Sequence, residues 1–297
     1  MTPLIDAHNH LHDDWLAPYR ESVFEDLESA GIQICVVNGT NEADWPEVRT
    51  LCSARPALQT AATHHQPLVL LPSFGLHPWD VGNRTPDWQQ HLQSQIDRNP
   101  NASIGEIGLD HWILDRARPD DSRLAGLRRA PMEEQIEVFR WQLALATDRN
   151  LPVSIHCLDA FGALHEVLRS TPLPPRGFLL HAYSGSYELA ESFAKLGAYF
   201  SFNGAFLESR KERLREMYTR IRTDRLLIET DAPAMRLPAD RETFRLPPGP
   251  EGNPFNHPAN LVVTYAALAQ LRGISVDSLR DQVAENFDRL FIRTNVS

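Results

Sequence analysis

The chain has 297 residues, 42% of them hydrophobic, and a formal net charge of −10 at pH 7. This length and apolar content allow one large core, and the negative charge disfavours a protein that reads DNA through a broad basic surface. No apolar stretch approaches the ~20 residues of a membrane helix, and the N-terminus lacks the pattern of a signal peptide. Three cysteines without C-x-x-C spacing argue against a disulfide framework. We therefore expect a single domain over residues 1–297, located in the cytoplasm.

Eight short apolar runs alternate along the chain with amphipathic, helix-like stretches. The runs predict strands at residues 4–8, 32–38, 69–74, 103–107, 153–156, 178–181, 199–202 and 226–229. The clearest helical patterns cover residues 16–30, 132–149, 187–196 and 207–220. Apolar strands joined by helices pair in parallel with both faces covered, and eight such units within about 250 residues predict an α/β fold of the (β/α)8 or TIM barrel type.

The first predicted strand carries the most informative feature of the sequence, the histidine pair of the segment DAHNH at residues 6–10. Side chains alternate along a strand, so both imidazoles leave the same face. Four further strands end in residues that can bind a metal, and the active sites of such barrels lie where strands end. The six predicted metal ligands are His8, His10, Glu106, His156, His181 and Asp231.

The lysine content bears on how two cations would be joined. Several metal-dependent barrel hydrolases bridge their cations with a carboxylated lysine from strand four. This chain has two lysines, Lys195 and Lys211, and neither ends a predicted strand. The fourth strand carries Glu106, whose carboxylate can bridge two cations without modification, so we predict Glu106 as the bridging residue by elimination.

Six motifs in chain order resemble the TatD family of metal-dependent deoxyribonucleases. They are DAHNH (6–10), GLHP (75–78), IGEIGLD (104–110), PVSIH (152–156), HAYSGS (181–186) and ETDAP (229–233). NHP at 256–258 and ENFDRLF at 285–291 resemble the closing elements of the family, so the resemblance covers nearly the whole chain. It implies one cation held by His8, His10 and Asp231, a second held by His156 and His181, and Glu106 between them.

The ligand pattern and the resemblance together predict hydrolysis by a water activated between two divalent cations, which are Mg, Mn or Zn. Asp231 is the predicted proton acceptor, and Glu106 is the second catalytic carboxylate. The predicted substrate is DNA, cleaved at phosphodiester bonds. The net charge of −10 does not oppose this prediction, because the cations bring positive charge to the phosphate. No membrane or protein partner is indicated.

Two positions depart from the family pattern and leave alternatives open. Leu158 stands where members often carry arginine, and Phe255 precedes the NHP segment where a basic residue is common. Both departures remove cations close to a bound phosphate. A hydrolase of small carboxylic or phosphate esters or amides is therefore one alternative, and a non-catalytic metal-binding interaction protein is another. The width of the pocket and arginines on its rim distinguish a DNase from an esterase.

Several other residues have both a functional and a structural interpretation. His77 follows the third strand and would either touch substrate or support a loop. Asp6 and Asp110 are placed to orient a histidine ligand, although Asp110 would equally cap a turn. Cys157 follows His156, so strand alternation turns it toward the helices as a core residue rather than a nucleophile.

Three segments are predicted to lie outside the regular elements. Residues 233–258 contain too many prolines for a helix and follow the eighth strand, so they are expected to form a wall or lid over the metals. Residues 111–131 extend the loop after strand four over the same face or form a mobile surface excursion. His64 and His65 are expected in a solvated loop.

Overall fold

The eight strands form one parallel barrel. The computed structural model describes residues 2–55, 67–249 and 252–292, and in it each strand pairs in parallel with the next, in the order β1 to β8. The strands are β1 Leu4–Asn9, β2 Ile32–Asn38, β3 Val69–Phe74, β4 Ser103–Asp110, β5 Val153–Leu158, β6 Phe178–Leu180, β7 Ala198–Asn203 and β8 Leu226–Glu229. The predicted (β/α)8 barrel is therefore confirmed.

Hydrogen bonds beyond β8 close the barrel against β1. The backbone N–H of Asp231 donates to the carbonyl of His8 at 3.0 Å, and that of His10 donates to the carbonyl of Ala232 at 2.8 Å. This seam places the first and the last predicted ligand segments side by side.

Ten helices occupy the outside of the barrel or its loops within the described residues. They are α1 Arg20–Ser29, α2 Trp45–Ser53, α3 Trp88–Arg98, α4 Trp112–Asp115, α5 Met132–Asp148, α6 Phe161–Ser170, α7 Tyr187–Lys195, α8 Glu212–Arg220, α9 Leu261–Arg272 and α10 Val276–Phe291. The inner faces of these helices pack on the outer face of the sheet and form one extended hydrophobic core. Among the described residues, none of these helices is both long and apolar enough to span a membrane.

Two strands run at least two residues past the C-terminal end that their apolar runs predicted. β4 continues to Asp110 and β5 to Leu158, so Glu106 and His156 lie inside their strands rather than at the ends. Gly108 and Asp110 interrupt the apolar pattern, but the strand pairing continues as Gly108 beside His156 and Asp110 beside Leu158. Backbone pairing needs no apolar side chain, which is why the pattern ended before the strand did.

The two long loops extend over the carboxyl ends of the strands. The loop after β4 contains α4 and its own small apolar cluster of Ile113, Ala117 and Leu124. Residues 233–249 and 252–257 contain no regular helix, as their prolines predicted, and Ala234 and Met235 line the cavity above the barrel. His64 and His65 lie outside the described residues.

Candidate metal centre

The six predicted ligands converge at the carboxyl end of the barrel. Five of them line a cavity of about 1060 Å³, namely His10, Glu106, His156, His181 and Asp231. His8 lies beneath them and is completely buried. The parallel direction of all eight strands brings these residues to one end of the molecule.

One carboxylate oxygen of Glu106 faces the residues from β1 and β8. Its Oε2 lies 3.3 Å from the Nε2 of His8 and 3.3 Å from the Nε2 of His10. Oδ1 of Asp231 lies 3.3 Å from the same nitrogen of His10 and 3.6 Å from that of His8. These four side chains form the first group of the centre.

The other carboxylate oxygen of Glu106 faces the histidines from β5 and β6. Its Oε1 lies 3.0 Å from the Nδ1 of His156 and 2.8 Å from the Nε2 of His181, and these two ring nitrogens are 3.4 Å apart. His77 also approaches, with Nε2 at 3.4 Å from Oε1. The structure thus places His77 against Glu106, whereas the sequence left it between a substrate contact and a loop support.

The opposite nitrogens of three imidazoles are held by neighbouring groups. Nδ1 of His8 contacts the hydroxyl of Ser154 at 2.8 Å, and Nδ1 of His10 contacts the carbonyl oxygen of Asn38 at 2.7 Å. Nε2 of His156 lies 2.9 Å from Oδ2 of Asp110. Such partners fix the orientation of a metal-binding imidazole and leave the inward nitrogen available to a cation.

Asp6 supports the centre in a different way from the one predicted. Its Oδ1 accepts a hydrogen bond from the backbone N–H of Thr230 at 3.0 Å, and its Oδ2 accepts one from the Thr230 hydroxyl at 2.5 Å. It also accepts the backbone N–H of His8 at 3.3 Å. The prediction that it orients an imidazole is therefore wrong, because its oxygens tie the end of β8 to β1. Burial raises the pKa of Asp6 to about 7.

Sequence reasoning missed Glu229 and Ser154. Glu229 is completely buried, lies 3.5 Å from Nδ1 of His181, and accepts hydrogen bonds from Ser201 and Asn203. A usable signal existed for Ser154, which precedes the predicted ligand His156 by two positions, because a strand places such a pair on one face. Glu229 also precedes Asp231 by two positions, but Asp231 lies beyond the end of β8.

Strand alternation predicted that Cys157 turns toward the helices as a core residue, but its side chain is only half-buried. It packs partly against the hydrophobic core and also borders the cavity. Burial raises the pKa of its thiol far above the ordinary value, which opposes a role as a nucleophile.

Imidazoles and carboxylates set one another's charge in this cluster. Burial by itself raises the pKa of Glu106, but the charges of His181, His77 and His8 outweigh it and hold that pKa well below its usual range. Burial lowers the pKa of His8. For His10 the burial effect is smaller than the attraction of the neighbouring carboxylates, so its pKa is raised. Glu106 therefore stays ionised, as a metal ligand must be, and a cation would displace the imidazole protons.

The donor atoms fit divalent cations. Nε2 of His8 is buried without a hydrogen-bond partner although two carboxylates face it. Imidazole nitrogens and carboxylate oxygens together suit Zn, Mn and related ions. Three sets have donor atoms within 4.8 Å of one another, which are His8 with Glu106 and His181, His8 with His10 and Asp231, and His77 with Glu106 and His156.

The rim of the cavity carries two cationic side chains that the sequence had not placed there. Arg123, from the loop after β4, pairs with Asp121 and lies over the ring of Trp112 at 5.1 Å. Lys211, from the loop after β7, lies 5.6 Å from the ring centre of Phe206. Both residues line the cavity, as does Leu158. Although position 158 is a leucine, the cavity thus has positive charge at its rim.

A (β/α)8 barrel with a histidine and carboxylate cluster at the carboxyl ends of its strands is the architecture of a metal-dependent hydrolase. The family model described as TatD related DNase matches residues 5–292. The chain therefore belongs to the TatD family, which confirms the resemblance seen in its motifs.

Individual relatives match the chain over almost its whole length. It is 27% identical over 290 residues to the uncharacterized metal-dependent hydrolase YabD of Bacillus subtilis, covering 97% of this chain and 98% of the relative. It is 28% identical over 289 residues to a protein of Erwinia tasmaniensis named 3'-5' ssDNA/RNA exonuclease TatD, covering 97% and 99%. Among solved structures, the TatD homolog YJJV of Escherichia coli is similar, with a TM-score of 0.78, 27% identity and 98% coverage of both chains.

Proposed function

We propose that this chain hydrolyses phosphodiester bonds in single-stranded nucleic acid at a centre of two divalent cations. His8, His10 and Asp231 would hold one cation, His156 and His181 the other, and Glu106 would bridge them. The observation that carries the proposal is the orientation of Glu106, whose two oxygens face the two histidine groups at 2.8–3.3 Å. A carboxylate in this position would offer one oxygen to each of two cations.

The chain's own residues position the reaction. When bound, divalent cations supply Lewis acidity for an attacking water and positive charge that offsets the charge developing on phosphate. Asp231, at the wall of the cavity, accepts the proton of the water and passes it to solvent. The imidazoles of His8, His10 and His156 are fixed by Ser154, Asn38 and Asp110, so the centre requires little rearrangement during the reaction.

Nucleic acid suits the cavity better than a small ester does. The cavity volume of about 1060 Å³ lies at the upper end of the range of small-molecule sites. Arg123 and Lys211 supply rim cations that can contact phosphates on either side of the cleaved bond. A relative that is 28% identical bears the name of a single-strand DNA and RNA exonuclease, which supports the same substrate class.

We also propose that residues 1–297 act as one hydrolase domain in the cytoplasm. The family model matches residues 5–292, and the core cluster extends from Leu4 to Phe291. The three cysteines, Cys35, Cys52 and Cys157, are free thiols, in keeping with a reducing compartment.

The decisive experiment compares substrates on the metal-reconstituted protein. Protein loaded with Mn, Mg or Zn is assayed against single-stranded DNA, double-stranded DNA, single-stranded RNA, and a panel of small carboxylic and phosphate esters and amides. We expect the single-stranded nucleic acids to give the highest kcat/KM. Efficient turnover of a small ester with no cleavage of any nucleic acid would replace this proposal with the esterase alternative.

A further inference from the structure

Negative and positive side chains lie on different sides of the cavity mouth. The segments that follow β1 and β2 contribute four carboxylates to its lining, Asp13, Asp14, Asp44 and Glu47, of which Glu47 also pairs with Arg20. Arg123 and Lys211 come from the loops after β4 and β7. Because the strands follow one another around the barrel in chain order, the acidic and the cationic sectors lie on different sides of the metal centre. A phosphate is repelled by the first sector and attracted by the second.

An aromatic side chain stands in the acidic sector. Trp15 lines the cavity and is 49% exposed, which is unusual for a large apolar residue in the described part of this chain. Its ring stacks on that of Phe255 with 4.7 Å between centroids and 26° between planes. We call Trp15 and Phe255 together the aromatic platform. Phe255 thus covers one face of the Trp15 indole, and the Trp15 side chain remains accessible from the cavity.

Both residues of the aromatic platform lie in segments that also contribute to, or contact, the metal centre. Trp15 follows His10 by five residues, and its backbone N–H donates to Asp13 at 2.8 Å. Phe255 is 7% exposed. A Cβ added at Gly249 would lie 2.2 Å from the Phe255 ring, so the backbone of Gly249 packs closely against that ring. The next residue, Asn256, donates from its side chain to the carbonyl of Thr230 at 2.9 Å, beside the ligand Asp231.

Planar bases of nucleic acid match this combination of features. A base stacks on an exposed indole whatever its sequence, and the amino groups of cytosine or adenine can donate to the surrounding carboxylates. A phosphate in the same place would meet like charge. The platform therefore suits a nucleoside that carries no further phosphate, which is the end of a strand.

We propose that Trp15, supported by Phe255, is the stacking subsite for the terminal base of a single-stranded nucleic acid, with the rest of the strand directed toward Arg123 and Lys211. This inference rests on the proposed function for its substrate class. It adds the residue that grips the strand end and the direction in which the strand leaves. Phe255 contributes support for the indole and offers no contact to a phosphate.

Binding of a cleavage-resistant oligonucleotide tests the subsite without turnover. Metal-loaded protein is titrated with a single-stranded phosphorothioate octamer with hydroxyl ends, and indole fluorescence is recorded. Trp15→Ala should raise Kd about 5- to 150-fold, the usual effect of losing one base-stacking ring. Trp15→Phe keeps a ring, so it should bind within a few-fold of the parent and lose the fluorescence change that Trp15 reports. Leu271→Ala, an exposed apolar residue outside this cavity, should match the parent.

An octamer that lacks its terminal base separates stacking from a structural effect of the substitution. The parent protein should bind the abasic octamer about as weakly as Trp15→Ala binds the normal one, and Trp15→Ala should not distinguish the two. If the parent binds both octamers equally, the subsite is overturned, whatever the nuclease assays show. If Trp15-dependent binding is found but no nucleic acid is cleaved, the subsite stands and the proposed function fails.

A terminal phosphate tests the charge separation. At the end that occupies the platform, an added phosphate should raise Kd in the parent protein because it approaches the carboxylates that follow β1 and β2. Tighter binding of the phosphorylated end would overturn the assigned strand direction.

Discussion

Glu106 is the residue on which the two halves of the centre depend. Glutamine in its place keeps the shape of the side chain, but it removes the negative charge and turns an amide N–H₂ toward one group of imidazoles. That group of imidazoles would lose the oxygen ligand that Glu106 supplies. If the amide faces His156 and His181, their cation would be held only by neutral nitrogens and would bind weakly.

Glu106→Gln should therefore lower the bound metal from two ions per chain to one or fewer, and should reduce hydrolysis by at least about 100-fold, the upper end of what loss of a supporting residue costs. Metal content by mass spectrometry and a hydrolysis assay measure both effects. Circular dichroism at 25 °C serves as the control and should show the parental secondary structure, because the carboxylate lies above the hydrophobic core. Two bound ions together with parental activity would rule out the bridge.

Asp110 acts on the centre through His156. Its Oδ2 lies 2.9 Å from Nε2 of His156 and also accepts the indole N–H of Trp79 at 2.7 Å. Asp110→Asn should weaken metal binding and activity by about 10- to 100-fold, as removal of such a partner does in other metal sites. Asp115→Asn is the matched control, because Asp115 lies in the same loop region, is 66% exposed and pairs only with His111 among its described contacts. Metal titrations that give the same affinity for both variants would contradict a positioning role for Asp110.

The residues of the centre were predictable to the extent that they depend on strand periodicity and ligand chemistry. His8 and His10 share a face because they are two residues apart, and the structure brings both of them to Glu106. His77 could not be assigned with the same certainty. Its role depends on how neighbouring strands approach one another, and one strand's sequence does not carry that information.

At the scale of elements, Gly105 allows β4 to pass close to its neighbours. A Cβ on this residue would lie 2.8 Å from Cβ of Ser154 and 2.9 Å from Oγ of Ser73. Gly105→Ala should therefore destabilise the protein by about 1–3 kcal/mol through overpacking. It should also weaken metal binding, because it displaces the serine that holds His8.

Gly162 provides the matched control for this substitution. It lies in α6, and a Cβ there would meet nothing within 4 Å. Gly162→Ala should be neutral or stabilise by up to about 1 kcal/mol, because alanine loses less backbone freedom than glycine in a helix. Urea unfolding of the two variants measures the difference, and equal stabilities would show that β4 has room to adjust.

The sequence predicted which helices and strands form more accurately than it predicted the residues at which they begin and end. The alternation of apolar runs and helical patterns identified all eight strands because each run is short and mostly buried. The helix expected over residues 16–30 begins later, with a short 3-10 turn at Ala17–Tyr19 and α1 from Arg20. Pro18 lacks the backbone N–H that the interior of an α-helix requires, so the regular helix begins after it.

Considered as a whole, the molecule combines a net charge of −10 with a proposed substrate that is itself negatively charged. The charge separation at the cavity mouth, together with cations bound at the centre, would resolve this conflict, because positive charge is needed only where phosphate lies. The overall composition disfavoured a protein that reads DNA through a broad basic surface. It did not predict where Arg123 and Lys211 would lie. Their positions depend on how the loops after β4 and β7 fold over the barrel.

Removal of metal tests this arrangement at the scale of the whole protein. Chelation should abolish hydrolysis, because the proposed ligands and proton acceptor come from the chain but the proposed Lewis acid does not. It should also lower the melting temperature, because ions bound only by the folded state stabilise it by about 2.7 kcal/mol at a free concentration of 100 times Kd. Re-addition of Mn, Mg or Zn should restore both properties, measured by assay and by calorimetry. Full activity after exhaustive chelation would exclude a metal-assisted mechanism, and an unchanged melting temperature would show that the cluster of His8, Glu106 and Asp231 binds no ion in the folded protein.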